Sequence, residues 1–296
     1  MKKFIKSNHK LYKIYQKIRY SKSSNIRSAF EKVNEIILNN NYNSFIFDGE
    51  NTWLKVFDDI EYMYVPDKFG GLLGLEKKDG FESIEIEFVK NNLKDGDTFI
   101  DIGANFGLYS IFVGKKFKNC AIHSFEPVPE TFKILSKNLK HNGLNEKNST
   151  NNIGLADKKG KLFFSNDKYA GNHIIVNPKK SDSVTEIDVE ILDDYIINKN
   201  IDKVDFIKCD VEGAELLVLI GAKEVIEKYH PIILIEIYED WTKRFGHSAM
   251  DVINYLLSFG YKVKMINHQS KKIENFDSSK LNIVYDFIFY TNEIII

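Results

Sequence analysis

The sequence is poor in cysteine and arginine, and it lacks long apolar runs. Cys120 and Cys209 are the only cysteines among 296 residues, which excludes a disulfide-stapled scaffold and favours the reducing cytoplasm. Only three arginines are present, so planar donors for reading bases or phosphates are few. Apolar runs such as Ile232–Ile235 are interrupted by charge well short of a membrane span or a signal peptide. We therefore expect a cytoplasmic protein that neither spans a membrane nor binds nucleic acid.

The overall charge is nearly balanced, and the composition is that of a folded protein. Lys and Arg total 41 against 42 for Asp and Glu, so the chain lacks the basic excess of a dedicated nucleic-acid binder. Hydrophobic residues make up 43%, enough for one sizeable core. We predict a basic helical extension over residues 1–40, a β-rich lead-in with a helix over 41–94, and a main domain over 95–296.

Positive charge is concentrated at the start of the chain. Residues 1–30 hold nine Lys or Arg and no acidic residue, whereas the remaining 266 carry 32 basic and 42 acidic groups. Phe4, Leu11, Tyr15 and Ile18 share one face of a predicted helix, and lysines fill the other face. Three interpretations stay open for this segment: packing on a second subunit of a homo-oligomer, a loosely ordered tail, or peripheral contact with an anionic membrane.

Beyond residue 41 the pattern is first antiparallel and then of the alternating α/β type. Asp48-Gly49 is a hairpin turn signal between two apolar stretches, and a helix is expected from about Phe81 to Leu93. After Asp95, strands alternate with helices as in a parallel sheet. A β-rich excursion is expected over 161–192, and a single helix over 213–229. The predicted strands of the sheet are Thr98–Ile102, Ala121–Phe125, Ser149–Ile153, Val204–Cys209, Pro231–Tyr238, Tyr261–Ile266 and Val284–Tyr290.

The first functional motif, Asp101-Ile-Gly-Ala-Asn-Phe-Gly107, joins the first of these strands to the next helix. Its glycines allow a ligand to approach the backbone at the carboxyl edge of the sheet, where a helix N-terminus also offers free N–H groups. The spacing is not that of a strict dinucleotide fingerprint, and Asp101 would attract a cationic ligand and repel a phosphate. Gly103 and Gly107 are equally compatible with close packing of the helix on the sheet.

A second signal is Glu126, which directly follows the second strand. An acid at this position can accept hydrogen bonds from the 2′ and 3′ hydroxyls of a ribose. Together with Asp101 it predicts a ligand that has an adenosine ribose and a cationic, carboxylate-bearing tail, and S-adenosylmethionine (SAM) has both. The alternative is that Glu126 caps the helix that Pro129 opens.

At this point the chain resembles the FkbM-type SAM-dependent methyltransferases, over about residues 95–238. The matching stretches are FIDIGANFGLYS (Phe99–Ser110), FEPVPETFKILSKNL (Phe125–Leu139), NIGLADKKG (Asn152–Gly160), ILDDYI (Ile191–Ile196), VDFIKCDVEGAELLVLIGA (Val204–Ala222) and PIILIEI (Pro231–Ile237). The resemblance implies a class I, Rossmann-like α/β fold. Its sheet is mostly parallel and seven-stranded, in the order 3-2-1-4-5-7-6, with strand seven antiparallel and helices on both faces. We expect the N-terminal helical and β-hairpin extension to precede this domain.

The resemblance also implies O-methylation, usually of a hydroxyl on a sugar or polyketide-like natural product, with S-adenosylhomocysteine (SAH) as the cofactor product. The residues it assigns to the cofactor are Asp101, Gly103, Ala104, Asn105, Gly107, Ser110, Glu126, Pro127, Gly154 and Asp210. In the implied strand order Cys120 and Cys209 lie two inter-strand spacings apart, roughly 9–10 Å, which is too far for a disulfide.

Four residues are candidates for the chemical step. Asp210 and Glu212 follow the fourth strand, beside the expected methyl group, where a weakly nucleophilic hydroxyl needs a base. Glu236 interrupts an apolar strand and so requires a partner or an exposed strand end. His173, in the β-rich excursion, is a further candidate base. The alternatives are that Asp210 is a helix N-cap and that Glu215 has a structural role at the start of the helix.

The sequence thus predicts a SAM-dependent O-methyltransferase that acts on a hydroxyl of a carbohydrate, a glycan or a related natural product. The alternatives are N-methylation of a sugar or small molecule, a non-catalytic SAM- or glycan-binding partner, and an NAD-dependent oxidoreductase, against which the glycine spacing counts. For His247, after the fifth strand, a surface histidine is the commoner explanation. No spacing of His, Cys and carboxylates predicts a metal site, and a Mg²⁺ ion on Asp210 and Glu236 has no support.

Overall fold

A computed structural model describes residues 45–47, 51–57, 60–63, 82–144, 148–165 and 184–296. The basic segment 1–40 and His173 lie outside these residues. The chain divides into two units, Met1–Asp58 with Met63–Phe81 and Asp59–Tyr62 with Glu82–Ile296. The second unit contains the whole of residues 95–296 and, in addition, the helix predicted before them.

The first unit contains an antiparallel hairpin. Strands β1 (Phe45–Phe47) and β2 (Thr52–Phe57) pair with Phe45 opposite Leu54. This pairing confirms the hairpin predicted around Asp48-Gly49, because two apolar stretches separated by such a turn signal fold back on each other.

The second unit has the predicted alternation of strands and helices. Strand β3 (Ile60–Met63) belongs to this unit as far as Tyr62. The other strands are β4 (Thr98–Ile102), β5 (Ala121–Phe125), β6 (Asn148–Asn151), β7 (Gly154–Leu155), β8 (Gly160–Ser165), β9 (Val184–Glu190), β10 (Phe206–Cys209), β11 (Ile232–Glu236), β12 (Lys262–Asn267), β13 (Lys272–Asn275) and β14 (Asp286–Tyr290). Its helices are α1 (Ser83–Asn92), α2 (Leu108–Lys116), α3 (Pro129–His141), α4 (Leu192–Asn198), α5 (Glu215–Ile220), α6 (Lys223–Tyr229), α7 (Glu239–Thr242) and α8 (Ala249–Leu257). Strands β4 and β5 begin and end at the predicted residues.

Eight strands form one mixed sheet in the order β13-β12-β14-β11-β10-β4-β5-β6. Without β13, and numbered along the chain, the other seven have the predicted order 3-2-1-4-5-7-6. Strand β14 pairs antiparallel with β11 and β12, whereas β4, β5, β6, β10 and β11 run parallel. The prediction of seven strands missed the edge strand β13, because its four residues include a single apolar side chain, Ile273.

The β-rich excursion forms a separate three-stranded sheet in the order β7-β9-β8. Strands β8 and β9 pair antiparallel, and Gly154 of β7 lies opposite Val189 of β9 in a parallel pair. The described part of the excursion therefore confirms the predicted β structure.

One face of the eight-stranded sheet is apolar. Ile100, Ile207, Ile233 and Phe289 lie side by side on four neighbouring strands, each at most 1% exposed. Side chains of α4, α5, α6 and α8 join the same core. Burial of these side chains stabilises the fold through the hydrophobic effect.

The opposite face is apolar near the amino ends of the parallel strands. There Phe88 of α1 packs on Phe206, which in turn packs on Phe99. Nearer the carboxyl edge this face carries several polar side chains. The residues involved are Asp101, Ser124 and Lys208, which are in register, followed by the facing pair Glu236 and Asp286.

The helix predicted over 213–229 is two helices. A β-carbon on Gly221, between α5 and α6, would lie 2.1 Å from Ala156 O, so the backbone here packs directly on the segment between β7 and β8. Asp193 then caps α6 by accepting hydrogen bonds from Glu224 N and Val225 N, both at 2.9 Å. Close packing therefore interrupts a helix that apolar periodicity predicts as continuous.

The two cysteines form no disulfide, as the predicted strand order requires. Cys120 and Cys209 are both free and buried, on the two sides of β4. Among the described residues, no helix combines the length and hydropathy that a membrane crossing requires.

Candidate active site at the carboxyl edge of the sheet

The loop after β4 is shaped by close contacts with its neighbours. A β-carbon on Gly103 would lie 1.8 Å from Asp210 O, and one on Gly107 would lie 2.7 Å from Leu135 Cδ1. Gly103, Asn105 and Gly107 have positive φ angles of 78°, 49° and 91°. Both glycines therefore allow close packing, Gly103 of the loop against Asp210 and Gly107 of the start of α2 against Leu135 of α3, rather than of the helix on the sheet.

Glu126 ties this loop to the end of β5. Its Oε2 accepts a hydrogen bond from Asn105 N at 3.0 Å, and its Oε1 accepts one from Val128 N at 2.9 Å. Gly103 N and Ala104 N both donate to Phe125 O, at 3.0 and 2.9 Å. Burial raises the pKa of Glu126 to about 7, although the two backbone donors lower it. Each carboxylate oxygen keeps a further lone pair for a bound hydroxyl.

Asp101 is 1% exposed and is held by α2. Its Oδ2 accepts hydrogen bonds from Ser110 N, at 3.1 Å, and from Ser110 Oγ, which also contacts Ser124 Oγ. Its Oδ1 is buried without a hydrogen-bond partner. Burial raises the pKa of Asp101, and the nearby Lys208 lowers it. One oxygen of this carboxylate therefore remains available to a bound donor.

Pro127 and Gly154 lie where the segment after β6 meets the loop after β5. Asn152 Nδ2 donates to Glu126 O at 2.9 Å and to Pro127 O at 3.0 Å. A β-carbon on Gly154 would lie 3.0 Å from Val189 Cγ1 and 3.6 Å from Pro127 Cβ. The absence of a side chain at Gly154 therefore lets this segment pack tightly beside Glu126.

Asp210, Lys208 and Glu236 form a buried polar cluster on the ends of β10 and β11. Lys208 Nζ donates to Asp210 Oδ2 at 2.8 Å and lies 5.2 Å from the centre of the Tyr109 ring. Burial works against the charge of Lys208, but Asp210, Glu82 and Asp101 together raise its pKa. The lysine is therefore charged, and it balances carboxylates from three parts of the chain.

The two carboxyl groups of this cluster, those of Asp210 and Glu236, have pKa values shifted in opposite directions. Burial alone would raise the pKa of Asp210, but Lys208 and a hydrogen bond from Glu236 lower it. Burial, reinforced by the charge of Asp210, raises the pKa of Glu236 well above its usual value. Asp210 is therefore ionised and accepts a hydrogen bond from protonated Glu236. The partner that Glu236 was expected to need is thus Asp210, whose side chain is 29% exposed.

The loop after Asp210 carries Glu212 in a strained conformation. Glu212 has φ 58°, unusual for a residue other than glycine, and Gly213 follows with φ 108°. Glu215 holds the loop, since its Oε1 accepts from Gly213 N at 2.9 Å and from Val211 N at 3.4 Å. Helix α5 begins only at Glu215, with Ala214 as its N-cap, so the N-cap interpretation of Asp210 is wrong.

Glu212 is one of the carboxyl groups here whose pKa burial moves toward neutral pH. Burial raises its pKa to about 8, and the charges of Asp210 and Glu215 act in the same direction, against Arg244 and Lys208. A carboxylate with such a pKa can accept a proton from a substrate at pH 8 and release it again.

Aromatic side chains lie beside this loop, around the end of β11. The ring of Tyr238 contacts Trp241 and Tyr285, with centroids 5.0 and 4.6 Å apart, and Arg244 lies 5.9 Å from the Trp241 ring. A β-carbon on Gly213 would lie 2.6 Å from Trp241 O, so this aromatic group adjoins the loop. His247 packs against Phe245 with its pKa lowered by burial.

A third polar group on the same face escaped the sequence analysis. His268 Nε2 lies 2.8 Å from Asp286 Oδ2 and 3.1 Å from Glu85 Oε1. The hydrogen bond to Asp286 and the nearby Glu85 carboxylate raise the pKa of His268 to about 10. These three residues come from three separate elements, so no local spacing announces them.

Lys208 also received no role from the sequence analysis, although a signal for it exists. It lies in a strand that is buried on both faces, two residues before Asp210 and hence on the same face. The reasoning that demanded a partner for Glu236 applies equally to a lysine in this position. Tyr109 and Glu82, which complete its surroundings, are recognisable only in three dimensions.

The strand order, the glycine loop after the first parallel strand and the acid after the second define a class I, Rossmann-like methyltransferase fold. Residues 101–263 match the Methyltransferase FkbM domain family, and the chain belongs to that family. The protein is therefore a methyltransferase.

Two proteins with similar sequences are named methyltransferases. Methyltransferase sdnD of Sordaria araneosa is 29% identical over 182 residues, which are 51% of this chain and 68% of that protein. Methyltransferase 1 of Beauveria bassiana is 26% identical over 171 residues, or 47% and 68% of the two chains. The crystal structure of Methyltransferase FkbM from Methylobacillus flagellatus KT matches with a TM-score of 0.47 and 21% identity, over 67% of this chain but 44% of that one.

Proposed function

We propose that this methyltransferase uses SAM and methylates a hydroxyl of a carbohydrate or related natural product. The observation that carries the proposal is the carboxylate of Asp210 at the carboxyl edge of the sheet, which accepts a hydrogen bond from Lys208 Nζ at 2.8 Å and has a lowered pKa. In this fold the carboxyl edge is where ligands bind. A fixed carboxylate there can orient an acceptor hydroxyl and receive its proton.

The residues around the glycine loop fit SAM. Buried Asp101 Oδ1 has no hydrogen-bond partner, and it suits the ammonium group of the cofactor. Glu126 is held by one backbone N–H on each oxygen and can still accept from two ribose hydroxyls. When bound, SAM supplies a methyl group that is already activated as part of a sulfonium.

The contribution of the protein is then to place the acceptor and to remove its proton. Asp210 is well suited to positioning, because Lys208 and Glu236 fix its carboxylate while 29% of the side chain stays exposed. Glu212 is suited to proton transfer, because its pKa is raised to about 8. Placement and general-base assistance are the two terms that methyl transfer to an aliphatic hydroxyl requires from an enzyme.

The aromatic group of Tyr238, Trp241 and Tyr285 supports an acceptor with an apolar ring face. Each ring is partly exposed, and Gly213 places the group next to Glu212. Aromatic faces with polar rims suit the C–H face of a sugar ring, whose hydroxyls then point toward nearby carboxylates. The same group would accept a polyketide-like ring.

The cofactor assignment is tested by calorimetric titration of the full chain with SAH and, separately, with NAD. We expect saturable binding of SAH and none of NAD. Binding of NAD alone would instead support the oxidoreductase alternative. Binding of neither would remove the cofactor site from the glycine loop.

The acceptor assignment is tested with SAM that carries a labelled methyl group. Sugars, nucleotide sugars, glycans and lipid-linked glycans are incubated with the enzyme, each beside its amino-sugar counterpart. Label on oxygen of the hydroxylated member supports the proposal, and label only on nitrogen supports N-methylation. SAH binding without turnover on any acceptor would favour a non-catalytic partner.

A further inference from the structure

We propose that Glu85, His268 and Asp286 form a binding site for a divalent metal ion of the Mn²⁺ or Zn²⁺ kind. Glu85 belongs to the first turn of α1, His268 follows β12, and Asp286 begins β14. The three residues lie on the polar face of the eight-stranded sheet, beside the Asp210 cluster. The site does not depend on which acceptor the enzyme uses.

The spacing of the donor atoms suits a small divalent ion. One atom from each residue lies within 4.8 Å of the other two, and His268 Nε2 is 2.8 Å from Asp286 and 3.1 Å from Glu85. Metal bonds of about 2.0–2.2 Å at right angles place neighbouring donors about 3 Å apart. A set of one imidazole and two carboxylates combines the ligand types that Zn²⁺ and Mn²⁺ prefer.

The hydrogen bonding of the metal-free site is incomplete. Nε2 of His268 carries one N–H group, and this group donates its hydrogen bond to Asp286. Glu85 is 1% exposed, yet neither of its carboxylate oxygens accepts a hydrogen bond. A metal ion in place of the Nε2 proton would bind all three groups at once, and so satisfy a carboxylate that the proton leaves without a donor.

The surroundings also favour a cation of higher charge. Asp286 lies opposite Glu236 in the β11–β14 ladder, and Glu236 is hydrogen-bonded to Asp210. Lys208 is the cation at the other end of this row of acids. The side chain of His268 is 48% exposed, so an ion can enter from solvent and keep coordination positions for water or a substrate oxygen.

The test uses full-length protein stripped of metal with a chelator that is then removed. Mn²⁺ and Zn²⁺ are titrated by calorimetry into the wild type, H268A and D286N, and unfolding curves confirm that each variant is folded. The matched control is H141A, because His141 also pairs with a carboxylate, Glu61, at 2.6 Å and is none of the three proposed ligands. Pulsed EPR of bound Mn²⁺ then reports whether an imidazole nitrogen coordinates the ion.

We expect one ion per chain, with nitrogen coupling in the EPR signal. H268A should abolish that coupling and weaken binding by at least about 100-fold, beyond the 10–100-fold cost of losing an outer-shell partner. D286N should weaken binding as well, and H141A should bind as the wild type does. No saturable binding at millimolar metal, or equal binding by H268A, would overturn the site and leave the three residues as an ion-pair bridge.

Discussion

The two faces of the eight-stranded sheet are formed by the same strands but differ in the side chains that they carry. On one face Ile207, Ile233 and Phe289 pack side by side and are almost completely buried. The other face of the same strands carries Lys208 on β10 and Glu236 on β11, and helix α1 adds the acid Glu85. Burial of apolar groups is favourable without conditions, whereas buried charges require partners to offset desolvation.

The comparison separates residues that stabilise the fold from residues that are candidates for function. A buried ion pair contributes less to stability than well-packed hydrophobic side chains of similar volume would. The concentration of acids near the carboxyl edge is therefore not explained by folding. The proposed role at the carboxyl edge, binding polar ligands and moving a proton, would account for it.

The largest expected effect tests the polar face directly. Asp210→Asn should lower turnover by about 10²–10⁴ with SAM saturating, because a positioned carboxylate is lost while the shape is kept. The free energy of unfolding should change much less. Asp205→Asn is the matched control, since Asp205 lies at the opposite end of β10, where it accepts a hydrogen bond from Thr98 N at 2.8 Å. Near-normal turnover in a folded Asp210→Asn variant would remove Asp210 from the chemistry.

The apolar face should respond in the opposite way. Ile233→Ala, at a residue with 0% exposure, should lower the free energy of unfolding by about 2–5 kcal/mol. SAH affinity should be unchanged at temperatures where the variant is folded. Chemical denaturation and calorimetry provide the two measurements, and a loss of affinity without a loss of stability would contradict the division between the faces.

A smaller effect is expected at Glu126, which connects the loop after β4 to the loop after β5. Glu126→Ala should weaken SAH binding by about 1–3 kcal/mol, the scale for losing hydrogen bonds to a charged group. Calorimetric titration of the folded variant measures this change. Unchanged affinity would exclude Glu126 from the cofactor site and leave it only the bridge between Asn105 N and Val128 N.

The pH dependence sharpens the assignment of the base. If Glu212 removes the proton, kcat should rise with pH and level off above about 8, and Glu212→Gln should abolish this rise. The groups that face it are Asp210, Glu215, Arg244 and Lys208. A flat profile between about pH 6.5 and about pH 9 would assign the base elsewhere.

The same raised pKa has a consequence for stability. The raised pKa of Glu212 stabilises the folded protein fully below pH 4.5, the usual pKa of glutamate. This stabilisation is lost as pH rises through about 8, because only the folded protein retains the proton in that interval. The melting temperature of Glu212→Gln should therefore fall less with rising pH than that of the wild type. Parallel melting curves of the two proteins would contradict the raised pKa.

The smallest expected effect concerns the basic N-terminal segment. Deletion of residues 1–30 should leave SAH affinity unchanged, because every residue proposed to bind the cofactor lies beyond residue 95. Light scattering and flotation on anionic vesicles distinguish a role in assembly from one at a membrane. Reduced SAH affinity in the truncated protein would contradict its independence from the cofactor site.

Local patterns were sufficient for the strands that carry the cofactor loop. Residues Thr98–Ile102 and Ala121–Phe125 are strands at the predicted positions, because apolar runs bounded by turn signals leave few alternatives. The same patterns failed at Gly221, where contact with Ala156 O breaks a helix. They failed again at β13, whose pairing depends on the neighbouring strand more than on its own side chains.

The sequence by itself determined the order of strands and helices, the glycine loop and the acids at the strand ends, since these depend on residues close together in the chain. The tertiary structure decided what those acids do. The pKa of Asp210 is lowered and that of Glu236 is raised, because folding places Lys208 beside Asp210 and partly removes both carboxyl groups from water. Charge states depend on distances between elements and on exclusion of water, and neither quantity is written in local sequence.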